Sequence, residues 1–111
     1  MLDLMDRLPC TREENESRLE HTRRNGHVLV LRDGEKISGI AELYRMSYAP
    51  DYPVGWPVDD PNGKILYCYS AACRRNRIKE LIKMAKQKFH DCVYIAWHRD
   101  KKNHKLYLER I

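Results

Sequence analysis

Apolar and polar positions along this chain repeat with two different periods. Residues 64–73 read K-I-L-Y-C-Y-S-A-A-C, apolar and β-prone without a break from Ile65 to Tyr69. A run apolar on both faces suits a strand covered on both sides. The period then changes, because Ile78, Leu81, Ile82, Ala85 and Phe89 fall on one face of a helix over 78–89. Residues 92–97, C-V-Y-I-A-W, return to the pattern of a buried strand. Strand, helix and strand in close succession make a βαβ unit, which sets the two strands parallel and the crossover right-handed. The turn into the helix is Cys73-Arg74-Arg75-Asn76-Arg77. Backbone N–H groups at such a helix start lack intrahelical acceptors and face any anion placed there.

Upstream, Leu2, Leu4, Met5 and Leu8 fit a helical turn stopped by Pro9. Thr11 with Glu14 forms a capping-box pair, and Gly26 is a C-terminal stop. The helix between them has one strong apolar residue, Leu19, with acids early and Arg23-Arg24 at its end, as the helix dipole favours. A shallowly packed surface helix, able to serve as a lid, is the expectation. Residues 27–32 and 35–46 read as strands around an Asp33-Gly34 hairpin turn. Residues 47–63 combine Pro50, Pro53, Pro57 and Pro61 with Gly55, Gly63, Tyr48, Tyr52 and Trp56. That density excludes a regular element and leaves a packed substrate loop or a plain Ω-loop. After a charged turn at 100–104, residues 105–111 read as a last strand, antiparallel to 92–99.

Length and composition narrow the class. With 111 residues, 42% hydrophobic and 33% charged, the chain is expected to fold as one domain with one modest core. No apolar run approaches membrane-spanning length and the N-terminus has no signal-peptide pattern. A cytoplasmic protein without a membrane partner is expected. Cys10, Cys68, Cys73 and Cys92 are expected as free thiols. The absence of C-x-x-C and the scatter of the histidines point to no metal site. Charge is uneven: residues 1–63 hold 8 Lys+Arg against 12 Asp+Glu, and residues 64–111 hold 13 against 4. A basic second half implies a phosphate-bearing partner, either a nucleotide cofactor or a nucleic acid. A solvated helix face accounts for Lys79, Lys83 and Lys86, but less readily for Arg74, Arg75 and Arg77 gathered at one turn.

The order helix, hairpin, long loop, strand, basic turn, amphipathic helix, strand resembles the GNAT acetyltransferase superfamily across residues 12–99, with sequence detail in 64–89. The resemblance implies an α/β (α+β) fold: a mixed sheet with a central parallel pair, an N-terminal surface helix and one crossover helix. In that family an Arg/Gln-x-x-Gly-x-Gly/Ala turn opens the helix and holds the pyrophosphate of acetyl-CoA. Here Arg74 stands at the Arg/Gln position, while Arg77 and Lys79 replace the small residues. Those cations either bind phosphate through their side chains or block the groove. By resemblance, acetyl-CoA or coenzyme A would lie along Tyr69, Ser70, Ala71 and Ala72, then Arg74, Arg75, Asn76, Arg77, Ile78 and Lys79. A backbone N–H within 70–72 would polarise the thioester.

The implied activity is acetyl transfer to the amine of a small molecule or protein. The family often uses a carboxylate base near its fourth strand, but residues 64–73 contain no acid. Glu42 on the preceding strand is the candidate, its plainer reading being a solvent-facing strand residue. Ser70 at the strand end and Tyr107, the only tyrosine after Arg99, complete the implied catalytic set. The alternative is a non-catalytic module on the same scaffold. It would present its basic half, including Arg99, Lys101, Lys102 and Lys105, to nucleic acid or an acidic protein, with Trp56, Tyr94 and Trp97 as stacking surfaces.

Overall fold

Two strand faces that both need cover decide the architecture of the computed structural model, which describes residues 12–50, 56–74, 77–100 and 105–111. Strands β1 (His27–Asp33), β2 (Lys36–Met46), β3 (Ile65–Cys73), β4 (Tyr94–Asp100) and β5 (Lys105–Arg110) form one five-stranded sheet in the order β1-β2-β3-β4-β5. Helix α1 (Arg12–Asn25) precedes the sheet, and α2 (Ile78–Lys88) carries the chain from β3 to β4. The β3–β4 pair is parallel and the others are antiparallel. A small mixed-sheet α+β domain results, with the parallel pair where the βαβ pattern put it. β1 and β2 are joined through Gly34-Glu35, between the paired Asp33 and Lys36. Gly34 has φ 62°, the left-handed region a glycine enters without Cβ strain, and a leading glycine is the II′ hairpin pattern.

On one face α2 buries Leu81, Ala85 and Phe89 against Leu29, Ala41, Leu43, Leu66 and Ile95. Each of the buried Leu, Ile and Phe side chains contributes about 1.5–3 kcal/mol of burial. Ile82 is only half-buried and Ile78 is exposed, so the apolar stripe fades toward the start of α2. On the other face Leu19 of α1 packs on Ile40 and Ala72, and Tyr44, Met46, Tyr67 and Ala96 form a second cluster. β2, with every residue from 38 to 44 buried, is the strand fully covered on both sides. β3 is less so, since residues 68–71 are half-buried.

Three expectations change. β4 starts at Tyr94 rather than Cys92, because Cys92 N–H still bonds Phe89 O behind the helix. Val93 and Tyr94 are both exposed, and successive side chains point to opposite faces, so the chain is uncovered where it enters β4. α1 is not a loosely laid lid. With one apolar anchor it is seated by polar contacts instead, Arg18 Nε donating to Glu42 Oε2 at 3.0 Å and Thr22 Oγ1 to Glu42 Oε1 at 2.8 Å. The turn expected at residues 2–8, the Thr11 cap, Cys10, loop residues 51–55, Arg75, Asn76 and the turn at 101–104 lie outside the described residues.

Candidate functional site

β3 and β4 pair only from Ile65↔Tyr94 to Cys68↔Trp97. Past that point β3 follows β2 as far as Cys73, while β4 follows β5 to Asp100. The β2–β3 register shifts between Glu42 and Leu43, which face Ser70 and Cys68, so Tyr69 is the extra residue. A bulge of this kind bends its strand and raises the local twist. β3 therefore leans away from β4 and opens a crevice of about 410 Å³. Its walls are Cys68, Tyr69, Ser70 and Ala71 from β3 and Ile95, Trp97 and His98 from β4, with Ile78 and Ile82 of α2 above. Cys68, Ala71, Ile95 and Trp97 pack with the α2-side core, whereas Tyr69 belongs to the cluster on the α1 side. The opening is thus bounded by side chains from both faces, at the carboxyl ends of parallel strands where open sheets receive ligands.

The start of α2 overhangs this crevice. Its first intrahelical bond runs from Leu81 N–H to Arg77 O at 3.1 Å, and Arg77 at the N-cap position has φ −83° with no capping side-chain bond. The N–H groups of Ile78, Lys79 and Glu80 precede that first bond. The guanidinium of Arg77 is already committed: Nη1 donates to both oxygens of Asp33 at 2.7 and 2.5 Å, and Nη2 to Glu80 Oε2 at 2.7 Å. That hydrogen bond holds the Asp33 carboxyl below the usual aspartate value. Arg77 thus ties the helix start to the β1–β2 hairpin. Arg74 donates its N–H to Ser38 O at 2.8 Å, extending the sheet, while its residue and Lys79 are exposed.

Of the other expected residues, Tyr69, Ser70 and Ala71 line the crevice, whereas Ala72 is buried against Leu19. Glu42 does not face solvent. Its side chain is 2% exposed because β2 is central and α1 lies over it. Thr22 Oγ1, which bonds Glu42, also lies 2.6 Å from Tyr44 Oη, and burial foremost pushes the Tyr44 phenol up. Tyr107 stacks on Trp97, centroids 5.9 Å apart and 10° between planes, on the α2 side. Glu42 and Tyr107 therefore stand on opposite faces, and the structure does not assemble Glu42, Ser70 and Tyr107 into one constellation. The Cys68 thiol is pushed up to about 12, by burial first and then by the charge of Glu42, so it is a poor nucleophile.

His98 was not among the expected site residues, yet it lines the crevice and its Nδ1 lies 2.6 Å from Tyr67 Oη. Its signal was available: a polar side chain ending an apolar run stands at a strand's carboxyl end, where sheet ligands bind. The basic stripe is partly neutralised, since Arg77 pairs with Asp33 and Glu80, and Lys86 with Glu109. Trp97, expected as a stacking surface, is covered by Tyr107. Among the described residues no helix is long and apolar enough to cross a membrane. Comparison with family models, with curated proteins and with solved structures gives no match to this chain.

Proposed function

We propose that this chain binds an acyl-CoA thioester as GNAT proteins do and passes the acyl group to an amine. The observation that carries the reading is the divergence of the parallel strands past Cys68 and Trp97, directly beneath a helix start. The crevice volume of about 410 Å³ suits a small-molecule ligand. Ile78, Ile82 and Ile95 offer apolar walls for the pantetheine arm. A bound thioester would supply the activated carbonyl. Past Cys68 the backbone groups of β3 on the β4 side leave the ladder, so N–H donors there can meet a carbonyl oxygen. The N–H groups of Ile78, Lys79 and Glu80, with the side chains of Arg74 and Lys79, would take the diphosphate. Arg77 supports this end indirectly by holding the helix start through Asp33.

Calorimetric titration with coenzyme A tests the reading. Arg74→Ala and Lys79→Ala should each weaken binding on the order of tenfold, the scale of one charge-assisted contact. Ile82→Trp should fill the crevice and abolish binding with the fold intact. Arg77→Ala should lower the melting temperature more than the affinity. No heat and no thermal shift at millimolar coenzyme A would overturn the proposal, and equal affinity in Ile82→Trp would move the ligand out of the crevice.

A further inference from the structure

We infer that His98 is the residue that takes and returns the proton during acyl transfer, and that Tyr67 positions it; this rests on the acyl-CoA reading above. The argument starts from the crevice wall. Its side chains able to exchange a proton are the Cys68 thiol, the Tyr69 phenol, the Ser70 hydroxyl and the His98 imidazole. Imidazole is the commonest general acid–base group because one ring both accepts a proton and gives it back. Cys68 is held as a thiol by burial. Glu42 is absent from the wall and is bound by Arg18 and Thr22.

Tyr67 is 1% exposed and its position is fixed by the α1-side cluster. Its Oη meets His98 Nδ1 at 2.6 Å, with the two rings edge to face at 69°. When Nδ1–H donates to Tyr67 Oη, the ring is held in one tautomer and Nε2 carries the lone pair. His98 adjoins the α1-side cluster through Tyr67, whereas α2 and its N-terminus lie on the other face. An amine approaching from the α1 side would thus meet the His98 ring as it reaches a thioester carried in from the α2 side. Nε2 accepts the proton that the amine nitrogen loses as the N–C bond forms. It returns that proton to the coenzyme A sulfur as the C–S bond breaks. Amine and acyl-CoA become amide and free thiol, with no oxidant or further reactant required.

Three measurements on the whole chain test this. Nitrogen-15 NMR of the ligand-free protein reads the His98 tautomer, and Nδ1–H is expected. With acetyl-CoA and 2-phenylethylamine as probes, His98→Gln should lower kcat by about a hundredfold or more, the range for a lost general base. Its calorimetric Kd for coenzyme A should stay within about twofold. Tyr67→Phe should lower kcat about tenfold and mix the His98 tautomers, a spectroscopic change that loss of packing alone would not produce. Imidazole added to His98→Ala should restore part of the rate.

An Nε2–H tautomer in the wild type overturns the assignment whether or not the variants fold. So does wild-type kcat in His98→Gln. A wild type that binds coenzyme A but releases none from acetyl-CoA with the amine present also overturns it, leaving a binding protein. A wild type that binds no coenzyme A overturns the acyl-CoA reading as well.

Discussion

Removing the guanidinium of Arg18 should strand Glu42 as a buried carboxylate without its counter-charge. The side chains are 15% and 2% exposed and meet at 3.0 Å, leaving Thr22 Oγ1 at 2.8 Å as the donor once Arg18 is gone. Breaking a buried ion pair from one side costs about 3–5 kcal/mol, whereas replacing both partners by apolar groups is near neutral. Arg18 retains some contact with solvent, so Arg18→Met should cost about 3 kcal/mol, the low end of that range. Glu42→Leu should cost less, about 1–2 kcal/mol, because the released guanidinium can turn toward water. The double variant should lie within about 1 kcal/mol of wild type, a coupling of about 3 kcal/mol or more. Urea unfolding followed by circular dichroism, with the slope m unchanged, measures the cycle. Because Leu19 is the one apolar side chain that α1 buries, its amides should lose exchange protection ahead of the sheet in Arg18→Met. An Arg18→Met variant within about 0.5 kcal/mol of wild type, or an additive cycle, would refute the polar seating of α1.

Two further outcomes follow from the titrating groups. With its thiol raised to about 12, native Cys68 should carry far less thiolate than an ordinary cysteine at neutral pH and, although it lines the crevice, react with iodoacetamide much more slowly than after unfolding; native alkylation at Cys68 as fast as in the unfolded chain, mapped by mass spectrometry, would refute this. Asp33 and Asp91 are held below 3.8 chiefly by hydrogen bonds from Arg77 and Arg45. Their folded state favours the charged form, so this stabilisation is complete above 3.8 and is lost as pH falls through 3.8 toward the lowered folded value. Melting temperatures scanned from about pH 6 to about pH 2.5 should fall more steeply for wild type than for the Asp33→Asn/Asp91→Asn double variant, and parallel curves would count against both pairs.

Local periodicity determined the element types here, because strand and helix periods are properties of neighbouring residues. The 78–89 stripe located α2, the doubly apolar run located β3, and Asp33-Gly34 located the hairpin. Chain connectivity added the parallel β3–β4 pair, since a helix-length connection permits a crossover where a hairpin cannot form. The resemblance, not connectivity, implied Tyr69, Ser70, Ala71 and Ala72 as cofactor contacts; the first three line the crevice and Ala72 packs on Leu19 instead.

What each polar side chain meets was decided by the tertiary structure. Glu42 reads as an alternating strand residue until α1 crosses its face and supplies Arg18, 24 positions away. Arg77 reads as a phosphate ligand until the hairpin brings Asp33 to it across 44 positions. His98 has no local signature at all as a partner of Tyr67, 31 positions earlier. The bulge at Tyr69, which opens the crevice, exists only as a register between two strands. Partners that far apart leave no period in the sequence, because the chain between them can take any path until the core fixes one.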